Sequence, residues 1–166
     1  MAKPAQGIPK GFRTVTPGLT IKGAEAAIAF YKKAFGAEVI SSMRGPDGKT
    51  VMHAELKIGD SMIFLADEFP DMGYQSPKTL GGTATTLHLY VHDVDAAMKR
   101  AVDAGAKVTM PVTDMFWGDR YGKVEDPFGH RWGIATQKWE LSQDEIRAGG
   151  EKFFAEMEKG KGKDKG

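Results

Sequence analysis

The chain has 166 residues, 41% of them apolar and 27% charged, which is enough to bury a core in one domain or in two small modules. Lysine and arginine number 23 against 22 aspartate and glutamate, so the basic excess that nucleic-acid binding draws on is absent and no nucleic-acid partner is expected. The absence of cysteine and asparagine excludes thiol nucleophiles, disulfides, iron–sulfur clusters, thiolate zinc sites and N-glycosylation.

Residues 1–11 are polar and punctuated by proline and glycine, and are expected to be loose. They contain no apolar leader, and no run approaches the ~18 apolar residues of a membrane span. The expectation is a soluble cytoplasmic protein with no membrane partner.

Residues 12–66 form a first unit. Residues 14–21 alternate as a half-buried strand does, with Val15, Leu19 and Ile21 facing a helix and Thr16, Gly18 and Thr20 facing the other side. Ala24, Ala27, Ile28, Tyr31 and Phe35 then recur at helical spacing, and Gly36 ends the helix. Strands at 37–43 and 50–58 flank the turn Gly45-Pro46-Asp47-Gly48. On the second of these, His53 and Glu55 share one face and Ala54 and Leu56 the other. A further strand at 61–65 points Ile63 and Leu65 to the core and leaves Met62 and Phe64 opposite. Gly48-Lys49-Thr50 is not a phosphate loop, because the glycine required five residues earlier is Met43. No glycine-rich strand-to-helix turn of the kind that binds a nucleotide cofactor is present either.

Residues 67–84 read as a Pro/Gly-rich linker, after which the unit repeats over 85–137. Ala24-Glu25-Ala26-Ala27-Ile28 aligns with Val94-Asp95-Ala96-Ala97-Met98 at a shift of 70. The strand at 85–91 turns Leu87, Leu89 and Val91 to the helix and leaves Thr86, His88 and Tyr90 on the opposite face. Asp93 is placed to cap a helix carrying Val94, Ala97, Met98, Ala101 and Val102, which Gly105 closes. Strands at 107–112, 121–125 and 131–136 follow, the last two flanking Asp126-Pro127-Phe128-Gly129. Trp132 and Ile134 face the core and Arg131, Gly133 and Ala135 face away. His92 at the helix entrance reads as solvent-exposed and His130 as a turn residue. Met115-Phe116-Trp117 fits strand packing and a pocket wall equally, and Asp119-Arg120 fits a surface ion pair. Gly118 and Gly122 mark a bulge or a close approach. Residues 138–158 form a C-terminal helix, opened by the capping-box spacing Ser142-Gln143-Asp144-Glu145 and weakened by Gly149-Gly150. Residues 159–166 are a Lys/Gly tail expected to be disordered. The fold class is α+β: βαβββ, twice, with a C-terminal helix.

Paired βαβββ units resemble the vicinal oxygen chelate superfamily of glyoxalase I, extradiol dioxygenases, and fosfomycin and bleomycin resistance proteins. AIAFYKKAFGAEV (residues 27–39) resembles its first helix and exit, and EDPFGHRWGIA (residues 125–135) its last hairpin. HAELKIGDSMIFLADEFP (residues 53–70), the linker and FWGDRYG (residues 116–122) are similar to a branch often labelled demethylubiquinone-methyltransferase-like. The resemblance implies curved sheets around a cavity, a homodimer, and metal ligands on the first and last strand of each unit. The implied ligand positions fall at Thr16, Phe64 (Ile63 after a one-residue slip), Thr86 and Gly133. Phenylalanine and glycine offer no donor, and neutral threonine hydroxyls bind divalent ions weakly. The expectation is therefore a small-molecule-binding protein without a cofactor. Phe64, Thr86, Tyr90, Trp117, Arg120 and Tyr121 would line the ligand site, Arg120 clamping an anionic group. The alternative is a lyase or isomerase acting on a small oxygenated substrate. It would use His88 or His53 as base, or a divalent metal on His53, Glu55 and His88.

Overall fold

The computed structural model describes residues 7–161; the expectations for the first six residues and for 162–166 lie outside the described residues. The first unit runs β1 (Gly18–Ile21), α1 (Ala24–Phe35), β2 (Glu38–Arg44), β3 (Val51–Ile58) and β4 (Ser61–Asp67). A 3₁₀ turn (Pro70–Met72) and the short helix α2 (Pro77–Leu80) follow, so the linker is structured in part. The second unit is β5 (Thr86–Tyr90), α3 (Val94–Ala104), β6 (Lys107–Asp114), β7 (Asp119–Glu125) and β8 (Arg131–Gln137). Helix α4 (Gln143–Lys161) ends the described chain and so reaches past residue 158. Among the described residues no helix is long and apolar enough to cross a membrane.

Each unit builds one mixed sheet of the same topology, β1-β4-β3-β2 and β5-β8-β7-β6, with the first pair parallel and the rest antiparallel. Helices α1 and α3 pack on each other, and one apolar core joins both helices to the helix-facing sides of both sheets. Ala24, Ala27, Ile28, Tyr31 and Phe35 are buried in it as the spacing predicts, and Phe30 joins them. Val102 does not, at 41% exposed, because it falls on the edge of the α3 stripe. Val15 is exposed as well. The β1 ladder begins only at Gly18, after Pro17, which has no N–H to donate, so Thr16 precedes the strand.

The repeat extends to the way each helix is started. The Asp67 carboxylate, at the end of β4, accepts from the Gly23 and Ala24 amides at the mouth of α1 (3.2 and 2.8 Å) and from Val51 N–H (2.8 Å). Thr136, at the same place on β8, accepts from Val94 N–H at the mouth of α3 (2.9 Å) and donates to the Val91 carbonyl (2.8 Å). In addition, Asp93 caps α3 through Ala96 N–H (3.0 Å). Both satisfy amides that a helix start would leave open.

The two units are locked at the Asp-Pro-Phe-Gly turn. Buried Asp126 accepts from Tyr31 Oη on α1 (2.6 Å), Trp132 Nε1 (2.9 Å) and the Phe128 and His130 amides (2.9 and 3.0 Å). Burial, reinforced by the Asp126 charge, pushes the Tyr31 phenol well above its usual range, so it stays a donor. His130 Nε2 lies 3.1 Å from the Thr20 carbonyl on β1. The turn role expected of His130 is thus also a bridge between units.

Candidate functional site: the open sheet faces

With both helices between the sheets, the opposite face of each sheet is open, and period-two alternation decides which side chains stand there. On the second sheet, His88 pairs in register with Gly133, Tyr90 and Tyr121 both pair with Ala135, and Lys123 pairs with Gly133. His88, Tyr90, Tyr121 and Trp117 therefore come together. The His88 ring lies 4.7 Å from Tyr90 and stacks on Tyr121 at 5.4 Å, and Trp117 meets Tyr121 at 5.9 Å.

Gly133 lies under this patch. A Cβ there would stand 2.9 Å from His88 Nδ1 and 2.9 Å from Tyr121 Cε2. The missing side chain is the space in which the two rings sit. Beside them Asp119 is only 4% exposed, and its Oδ2 accepts from both Tyr90 Oη and Trp117 Nε1 at 3.0 Å. That hydrogen bond raises the Tyr90 phenol above its usual range and keeps its proton in place. At the other end of the face a groove of about 500 Å³ is lined by Thr86, Thr109, Met110, Lys123, Glu125 and Arg131.

The first sheet carries a smaller cluster. His53 and Phe64 meet at 4.9 Å, Phe12 covers Phe64 at 5.5 Å, and His53 Nε2 lies 3.8 Å from Glu55 Oε1. Glu55 thus faces His53; Lys57, two residues on, takes no ion pair with it among the described residues. A groove of about 420 Å³ at the start of α1 is lined by Lys22, Glu25, Lys49 and Asp67 among others. Its carboxylates are committed, Asp67 to backbone amides, Glu25 to Arg44 and Glu68 to Ser76 and Thr79.

Several site residues differ from expectation. Arg120 does not face the aromatic patch. Its guanidinium grips Asp95 with two hydrogen bonds (2.8 and 2.9 Å) and Asp114 with a third (3.0 Å), which raises its pKa further and leaves no fork for a ligand. Adjacent strand residues point to opposite faces, so Asp119 turns inward as Arg120 turns out. Asp119 is the residue that sequence reasoning missed. Residues 115–118 are the tight turn between β6 and β7, closed by Gly118 N–H to the Met115 carbonyl (3.0 Å), and not strand. Gly118 has φ +102°, and a Cβ there would meet the Trp139 carbonyl oxygen at 2.4 Å.

The donor set does not fit the metal that the resemblance implies. Phe64 has no donor and lies against the tilted rings of Phe12 and His53, and Gly133 is roofed by His88 and Tyr121. Of the alternative set, His53 and Glu55 share β3 while His88 belongs to the other sheet. Among the described residues no group of three His, Asp or Glu is placed to hold an ion.

Residues 13–134 match the model of the Glyoxalase/Bleomycin resistance protein/Dioxygenase superfamily. An uncharacterized protein of Mycobacterium tuberculosis is 47% identical over 137 residues, covering 81% of this chain and 80% of its own. Among solved structures, an Arabidopsis thaliana gene product is 31% identical with a TM-score of 0.60, covering 75% of this chain and 98% of its own. TioX from Micromonospora sp. ML1 is 25% identical with a TM-score of 0.58, covering 78% of this chain and all of its own. The motifs, the doubled sheet topology and these matches agree: the chain belongs to the glyoxalase/bleomycin resistance protein/dioxygenase superfamily.

Proposed function

We propose that this protein binds a small molecule on the open face of its second sheet, without a metal at the family positions, and that two copies pair to close the site. The observation that carries the reading is the patch of His88, Tyr90, Trp117 and Tyr121 over Gly133, beside a polar groove. Aromatic area with a few placed polar groups is what a small-molecule site needs. Pairing is supported by the arrangement of the sheets. Each open face is backed by helices; Phe12 lies over Phe64 on the first, while on the second Tyr90 is 67% exposed. Exposed aromatic area on this scale is expected to be covered by a ligand or a partner.

The test is a small-molecule thermal-shift screen on chelator-treated protein. A compound that stabilises the protein and loses its effect in Tyr121→Ala supports the proposal; stabilisation that appears only when a divalent ion is added overturns it.

A second reading is favoured by the His53–Glu55 approach of 3.8 Å beside Phe64. The separation is beyond hydrogen-bond distance, but a histidine beside a carboxylate is a candidate general base, suited to a lyase or isomerase. If His53→Ala leaves turnover of every substrate found unchanged, that reading falls.

A further inference from the structure

The geometry points to an organic ammonium group as what the aromatic end of the second sheet recognises. This rests on the reading of that face as a ligand site and names the ligand's charge. The argument begins with Asp119. The residue is 4% exposed, and its carboxylate takes two hydrogen bonds, both from neutral donors, Tyr90 Oη and Trp117 Nε1. It forms no ion pair among the described residues, and its chain neighbour Arg120 is spent on Asp95 and Asp114. A buried carboxylate with no counter-charge is costly, and a cation brought near it recovers part of that cost.

The two donors carry the charge outward. A phenol and an indole that hydrogen-bond to a carboxylate are polarised so that their ring faces become more negative, and ring faces are what attract cations. Tyr90 and Trp117 stand at the solvent side of Asp119, with Tyr121 and His88 completing the patch. Tyr121 already has a cation beside it, the Lys123 ammonium at 5.9 Å from its ring centroid. Charge along the face is graded. Asp119 stands at one end; Lys123 follows two strand positions beyond Tyr121, then Glu125 with Arg131 at 3.9 Å. A cation seated over Tyr90 and Trp117 therefore lies at the negative end, and any anionic part of the same ligand would point toward Lys123.

The test uses choline and its neutral carbon isostere, 3,3-dimethylbutan-1-ol, titrated into the full chain and followed by tryptophan fluorescence and backbone NMR. The expected result is choline binding about tenfold tighter than the isostere, with shifts on β5 and β7. Asp119→Asn should bring that ratio close to one. Tyr90→Leu, at a position 67% exposed, should weaken choline about fivefold, and it serves should the Asn variant not fold. Equal affinity for both compounds overturns the inference, as does preferred binding of inorganic phosphate. If neutral aromatic fragments bind the patch and choline does not, the ammonium assignment fails while the small-molecule site stands. If nothing shifts this face, both fail.

Discussion

Gly133 shows how one residue can shape a sheet face. It stands where the superfamily resemblance implies a metal ligand, and the space its hydrogen leaves is taken by two rings. Gly133→Ala should therefore affect the site more than the fold. The crowded atoms are ring atoms of His88 and Tyr121 that can move outward, so the melting temperature should change by a few degrees at most. Affinity for a ligand of the patch should fall several-fold; an unchanged affinity would show that the ring positions do not matter. Asp126 is the opposite case, a residue the fold depends on. Asp126→Ala strands the buried Tyr31 hydroxyl, the Trp132 indole N–H and two amides, at a cost of roughly 3–5 kcal/mol in urea unfolding. A cost under about 1 kcal/mol would mean that water replaces the carboxylate freely. Asp119 was illegible for a specific reason. Asp-Arg reads as an ion pair only if neighbours can face each other, and on a strand they cannot.

At the scale of elements, period and turn chemistry were legible. Both glycine C-caps, the Asp93 cap and the capping box stand where the spacing puts them, although α4 starts at Gln143 and not at 138. The apolar run at 115–117 concealed a turn, because Phe116 and Trp117 suit a strand locally and only Gly118 betrays the reversal. Gly149-Gly150 read as a weakness of α4, yet they are a seat. A Cβ at Gly149 would lie 3.1 Å from Phe116 Cβ and 3.3 Å from its carbonyl oxygen, while Phe153 and Phe154 hold the Phe116 ring at 5.4 and 6.1 Å. Gly149→Ala should thus loosen α4 from the body, seen as faster amide exchange, although alanine favours an isolated helix by ~1 kcal/mol. Slower exchange would show that propensity wins. Glu145 gives the same helix a pH dependence. Hydrogen bonds from Ser142, the backbone amide first, hold its carboxyl below the usual range. A depressed value means that the cap acts fully above the unfolded pKa of about 4.5 and is lost as pH falls through the folded one. Circular dichroism should show helix loss in that acid window, absent in Glu145→Gln.

For the whole molecule, the repeat was the strongest signal in the sequence, and the structure extends it to strand order and to the groups that start each helix. How the two open faces are disposed was beyond the sequence, because period two assigns a side chain to a face but cannot bring two sheets together. His53 and His88 both stand on open faces and yet belong to different sheets, with two helices between. If each face is closed by a second copy, sedimentation should give twice the 18.0 kDa chain mass, and a stable monomer would remove pairing from the account. The most direct test of the central claim is backbone NMR of chelator-treated protein titrated with a small aromatic fragment set, then with a divalent ion. The account predicts fragment-induced shifts clustered on His88, Tyr90, Tyr121 and Gly133 before any ion is added. Shifts that arise only with the ion, centred on His53, Glu55 and His88, would contradict it.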